Sequence, residues 1–251
     1  MFGNINIAEL LLTALAVLIT LTVHEYCHGY AAYKMGDNTA KNMGRLTLNP
    51  IHHIDPVGAL CMLFFHIGWA KPVPINPRNF KNPKRGFAIT ALAGPLSNLI
   101  LAFVFSGVFL LTYKAAHGVF ISQGDGFLFE LCKNATLFFS IFFSVNIGLA
   151  IFNLIPIPPL DGSRILTVIL PQKAYFAIMK YERQIYFALL GWLLLGDILA
   201  DAIRSVPFVA SIPLLNALAS IFSLTELLGY AINFIADLFI KFWQLFPLFT
   251  F

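Results

Sequence analysis

The chain has 251 residues, of which 59% are hydrophobic and only 11% charged, with a mean hydropathy of +0.80. Soluble globular domains carry about 25% charged residues, so lipid is the expected solvent. The formal charge of +4 does not point to nucleic acid, because the cations stand in blocks between apolar runs, as topology signals do.

The first apolar run, Ile7 to Val23, holds one charge, Glu9. It continues as a helix through His24 to Tyr33, long enough to cross a bilayer at about 1.5 Å of rise per residue. With no basic stretch before it and no small-residue cleavage site after it, the run is expected to stay as the first span. Gly36 to Pro56 is polar, and Gly44-Arg45-Leu46-Thr47-Leu48 alternates as a short strand does. Val57 to Trp69 is apolar but too short to span. Lys71-Pro72-Val73-Pro74-Ile75-Asn76-Pro77 is barred from helix by its prolines. Residues 38–77 are therefore expected to form a re-entrant segment with short β-strands, tolerated at membrane depth only where protein or water satisfies the backbone.

Gly86 to Tyr113 is a second span, with Ala93-Gly94-Pro95 near its start, and Leu131 to Ile155 is a third. Pro156, Pro158 and Pro159 then break the third helix, and Leu160-Asp161-Gly162-Ser163-Arg164 begins a new element. Tyr186 to Ala200, Val206 to Phe222 and Leu227 to Phe246 are further apolar stretches, interrupted by Asp197, Asp201, Arg204, Glu226 and Asp237. The expected fold is an all-α polytopic membrane bundle of about four to six transmembrane helices, with the re-entrant strands after the first. Residues 1–251 form a single domain in this reading, a core over 1–200 and additional apolar helices over 201–251. Eight of the 16 Lys and Arg residues lie between Lys34 and Arg85, and four between Arg164 and Arg183, which places both blocks in the cytoplasm.

His24-Glu25-Tyr26-Cys27-His28 reads HExxH. On a helix, residues four apart share a face, so both imidazoles can meet one zinc ion while Glu25 lies beside it as a base. With six His and twelve acids in 251 residues, about 0.007 chance matches are expected, so coincidence explains the motif poorly. Catalytic zinc takes three protein ligands and leaves a fourth position open. Asp161 is the candidate third ligand, an acid in apolar sequence where Pro158-Pro159 stop a helix and Gly162 permits close backbone approach. The alternative for Asp161 is an ordinary helix N-cap. His52 and His53 point to opposite sides of an extended segment and cannot easily chelate together. His66 and His117 have no partner at ligand spacing, and Cys27, Cys61 and Cys132 read as small apolar residues.

HExxH in the first span, Ala93-Gly94-Pro95 at the second and Asn153-Leu154-Ile155-Pro156-Ile157-Pro158-Pro159-Leu160-Asp161-Gly162 after the third resemble the site-2 protease family of intramembrane zinc metalloproteases, peptidase family M50. The short members without a PDZ domain are the most similar. Gly44 to Pro50, with His53, Asp55-Pro56 and Trp69 to Pro74, resembles their re-entrant segment. The likeness covers roughly Ile7 to Ala200.

The resemblance implies one Zn2+ per chain, held by His24, His28 and Asp161, with Glu25 as the catalytic base. It makes Asn153 a second candidate catalytic residue that orients substrate or donates to the oxyanion; capping the broken helix is the alternative. It also implies cleavage within or near transmembrane segments of membrane proteins, a multi-pass location in the cell membrane, and an active site reached from the cytoplasmic side. The partners are then the substrate helix and the bilayer, with no nucleic acid and with homo-oligomerisation left open. Two other readings are a membrane metal-ion transporter and a catalytically silent homologue that binds membrane proteins without cutting them.

Overall fold

Ala16, Thr20, His24, His28 and Ala32 recur every four residues and form the buried face of the first helix, α1 (Ile7–Met35), while Ile7, Leu11 and Leu15 are exposed. This inside-out polarity, with polar groups inward and large apolar side chains outward, suits a lipid environment. The structure is a computed structural model and describes residues 7–58 and 70–250. After α1 and the short α2 (Thr39–Asn42), the described residues include 3-10 turns at Pro50–His52 and Pro77–Asn79, followed by α3 (Pro83–Gln123) and α4 (Phe127–Leu154). There follow α5 (Asp161–Ile169), α6 (Gln172–Met179), α7 (Glu182–Arg204), α8 (Pro207–Ser211), α9 (Pro213–Ala219) and α10 (Leu224–Trp243).

Among the described residues four helices, α1, α3, α4 and α7, are long and apolar enough to cross a membrane. A fifth span arises if Pro213–Phe222 and α10, bent by 100° at a break, count as one. Asn82 caps α3 by accepting from the Arg85 amide, with Pro83 at the first helical position, where its missing N–H costs nothing. The buried face of α3 is mostly small: Ala91, Gly94, Ala102, Ser106 and Gly107 lie on it. Small residues let neighbouring backbones approach closely, and α3 packs against α1, α4 and α5.

The tail is part of the bundle. Ile232, Ile235, Phe239 and Ile240 of α10 pack on the core formed by Ala102, Phe143 and Ile147. Trp243 donates its indole N–H to the Phe103 carbonyl at 2.9 Å, and its ring lies against Gly107, where a Cβ would meet it at 2.8 Å. The charges that interrupt the late apolar runs tie α7 to α10: Arg204 bonds Glu226 and Ser220, and Asp197 accepts from Ser223 and Thr225. The stretch Val206 to Phe222 is divided into short helices because Pro207 and Pro213 each open a new one.

The short β-strands expected over 38–77 are a correction. Among the described residues this stretch holds no strand, only an isolated bridge between Ile54 and Ala70. Cys61, His66 and Trp69 lie outside the described residues. Pro50, Pro56, Pro72, Pro74 and Pro77 supply no N–H for a ladder. Several remaining donors and acceptors go to side chains instead. The Val73 amide donates to Glu25 and the Asn76 amide to Asp37, each at 2.7 Å. The Arg45 guanidinium donates to the Lys71 and Pro72 carbonyls at 2.8 and 3.3 Å. His53 is buried and bonds the Thr47 carbonyl at 2.8 Å. Asp37, fully buried, also accepts from the Thr39 amide and the Asn79 side chain. Alternating hydrophobicity in Gly44 to Leu48 thus marks a loop fastened by side chains.

Candidate metal centre

His24 and His28 sit one turn apart on the inner face of α1, 4% and 6% exposed. Their Nε2 atoms lie 2.9 Å from each other. Asp161 reaches them from α5, its Oδ2 standing 3.2 Å from His24 Nε2 and 3.1 Å from His28 Nε2. The proline strip sets this approach. At Gly162 a Cβ would lie 2.3 Å from the Leu154 carbonyl oxygen and 2.5 Å from that of Ile155, so only glycine lets the start of α5 press onto the end of α4. The N-cap position of α5 belongs to Leu160, and the Asp161 carboxylate is directed at the imidazoles. Among the described residues, His24, His28 and Asp161 are the one group of three or more such side chains arranged to hold a metal ion.

Three observations test whether these residues fit zinc. The first is the donor set. Two imidazole nitrogens and a carboxylate oxygen form a triangle with edges of 2.9, 3.1 and 3.2 Å, close to the separation of about 3.3 Å between ligands bonded at 2.0–2.1 Å around a tetrahedral ion.

The second is the pair of outer hydrogen bonds. His28 Nδ1–H donates to the Thr90 carbonyl at 2.7 Å, which fixes the tautomer that leaves Nε2 with a free lone pair. The amide of Asn98 stands 3.0 Å from His24 Nδ1, and its other atom, Oδ1, is buried without a partner. Amide nitrogen and oxygen are assigned from hydrogen bonding, and with the two exchanged Oδ1 accepts from His24 Nδ1–H, which leaves His24 Nε2 with a free lone pair.

The third is the cradle. A Cβ on Gly94 would lie 2.4 Å from His28 Nε2 and 2.7 Å from His24 Cε1, so α3 presents bare backbone to the two imidazole rings.

Glu25, next to His24, faces the same cleft of about 200 Å³, which His24, His28, Val73, Asn153 and Asp161 also line. One of its oxygens is held by the Val73 amide. Asn153 borders the cleft, but its amide donates back to the Leu149 carbonyl at 3.0 Å, within its own helix. It does not cap the helix end, which falls at Ile155. His52 is exposed, and His117 borders an apolar pocket with Phe120 and Phe129, so neither joins the site.

Some contributors had no signal in the sequence. Thr90 acts through a backbone carbonyl, which any residue carries. Val73 was readable in principle, since in Pro72-Val73-Pro74 it alone has an N–H to give. Phe87 and Arg164 border the cleft with their side chains stacked 5.3 Å apart, and neither belongs to a motif with an obvious chemical role.

A family model described as Peptidase family M50 matches residues 12–195. The chain belongs to peptidase family M50. It is 45% identical over 157 residues to YwhC of Bacillus subtilis, provisionally named a zinc metalloprotease; the match covers 62% of this chain and 68% of that protein. It is 31% identical over 150 residues to Rip2 of Mycolicibacterium smegmatis, covering 58% of this chain and 52% of the relative. With MJ0611 of Methanocaldococcus jannaschii the identity is 28% over 166 residues, 66% of this chain and 74% of that protein. Both of these are also provisionally named zinc metalloproteases. The match thus spans about half the length of Rip2. No solved structure matches. Membership of M50 and these relatives support a zinc metallopeptidase, and the apolar helices suggest a multi-pass membrane protein. The M50 match contains both histidines, Glu25 and Asp161, and ends within α7, before the tail helices.

Proposed function

We propose that this M50 chain is an intramembrane zinc endopeptidase that cuts peptide bonds in or near transmembrane segments of other membrane proteins. The observation that carries the reading is the convergence of His24, His28 and Asp161 within a 3.2 Å triangle, with Glu25 in the same cleft. The three would hold zinc, which when bound supplies Lewis-acid activation of water and of the scissile carbonyl. Glu25 Oε2 is occupied by the Val73 amide, leaving the other oxygen to take a proton from the attacking water and pass it to the leaving amine. Asn153, on the cleft wall, orients the bound peptide once its amide leaves Leu149.

The chain acts in this account as one membrane-embedded domain, with residues 1–200 carrying the chemistry and 201–251 bracing them. The cations from Lys34 to Arg85 follow the histidine-bearing end of α1, which supports access to the site from the cytoplasmic side.

Replacement of Glu25 by Gln tests the function. The variant is expected to keep zinc and to lose cleavage of a co-expressed single-span substrate. Undiminished cleavage would refute the role of Glu25. Metal transport surviving in Glu25→Gln, with no cleavage by wild type, would favour a transporter.

A further inference from the structure

Next to the catalytic cleft lies a second pocket, of about 330 Å³, lined by Pro77, Pro83, Lys84, Phe87, Thr167, Tyr175 and Phe176. Its walls come from four parts of the chain: the Pro-rich loop, the start of α3, α5 and α6. The two cavities share one residue, Phe87, and over the Phe87 ring lies the Arg164 guanidinium, itself on the wall of the catalytic cleft. Arg164 follows Asp161 by three residues on the same short helix, so the group at the seam is fixed relative to the candidate metal ligand. Among the described residues neither Arg164 nor Lys84 has a carboxylate within ion-pair distance.

From this adjacency we infer that the second pocket is a specificity subsite, which receives a large apolar side chain of the peptide whose backbone lies at the metal centre. The inference rests on the peptidase reading above. An extended peptide in the catalytic cleft has side chains projecting to alternate sides, and a neighbouring cavity reached across a single aromatic wall is where one of them can go. The lining selects the chemistry: aromatic and proline surface takes a leucine- or phenylalanine-sized group and gives an alanine little to touch. The Phe87–Arg164 stack keeps that wall flat and in place.

The test uses the full-length protein in detergent and a set of synthetic single-span peptides. In these peptides Ala, Leu or Phe is placed at each position of the span in turn, and cuts are located by mass spectrometry. Wild type is expected to cut where Leu or Phe occupies one fixed position relative to the broken bond, at least about ten-fold faster than where Ala does. Thr167→Trp, which fills the pocket, is expected to collapse that ratio towards one. An unchanged ratio in Thr167→Trp overturns the assignment.

A second measurement needs no catalysis: a photoreactive benzoylphenylalanine at position 176, in the Glu25→Gln background, is expected to crosslink the Phe peptides in preference to the Ala peptides. Crosslinking with that preference while wild type cuts nothing would sink the peptidase reading and keep the pocket. Cutting by wild type without position-176 crosslinks would do the reverse. Absence of both would overturn the two together.

Discussion

Replacing Gly94 by Ala adds one methyl group to the interior of α3, and the structure gives a definite consequence. The new Cβ would stand 2.4 Å from His28 Nε2, 2.5 Å from His28 Cε1 and 2.7 Å from His24 Cε1. An ordinary carbon contact needs about 3.5 Å, so one or both rings must retreat by about 1 Å. Zinc coordination tolerates about 0.2 Å in a bond of about 2.0–2.1 Å, so a displacement of that size removes a ligand. The effect on the fold is much smaller. Alanine is favoured over glycine in a helix by about 1 kcal/mol, which offsets part of an overpacking cost of about 1–3 kcal/mol. The expected result is a protein that folds and inserts with near-wild-type helical content and thermal midpoint, yet binds zinc at least about 100-fold more weakly than wild type. Competition against a chelator of known affinity measures the metal term, and circular dichroism in the same detergent measures the fold. Wild-type zinc affinity in Gly94→Ala would refute the placement of the rings against α3. An unfolded variant would show that the clash is resolved by the backbone instead.

Two other predictions concern single side chains. Asn98→Leu removes the acceptor proposed for His24 Nδ1–H and should weaken zinc binding by about 10–100-fold without displacing either histidine, as read by the same chelator competition. In the loop, burial alone would raise the Asp37 carboxyl, but hydrogen bonds from Thr39, Asn76 and Asn79 outweigh it and hold its pKa below the ordinary value of about 3.9. A group lowered in this way contributes stability that is present above its unfolded pKa and is lost as pH falls through the folded value. Asp37→Asn should therefore cost about 2 kcal/mol near neutral pH, with the gap from wild type closing below about pH 4. Unfolding of both proteins across that pH range checks this, and a gap independent of pH would contradict it.

The parts of this molecule that could be read from its sequence are those with a period or a fixed spacing. HExxH placed two imidazoles on one face because the helix repeat requires it, and the proline strip announced an unwound point before Asp161. Gly162 stood where close approach was anticipated and meets carbonyls that a methyl group would strike, while Gly94, within Ala93-Gly94-Pro95, lies against the His24 and His28 rings. Where sequence reasoning went wrong, in the strands of 38–77, the alternation of Gly44 to Leu48 was given more weight than the lack of donors at five prolines. The Asp37 hub and the bond from Val73 to Glu25 join residues 39 and 48 positions apart, a pairing that no local pattern encodes. The same holds for α10, whose docking depends on Trp243 finding Gly107 and the Phe103 carbonyl. Its apolar composition predicted burial or a span, but not the partner.

Everything chemical here depends on Asp161 and the two imidazoles gripping the same ion. X-ray absorption at the zinc edge of the purified, zinc-loaded protein probes this directly. The account predicts a first shell of about four nitrogen and oxygen neighbours near 2.0–2.1 Å, with two imidazoles resolved in the outer scattering and one light ligand lost in Asp161→Ala. A sulfur neighbour near 2.3 Å, or a shell identical in wild type and Asp161→Ala, would contradict it.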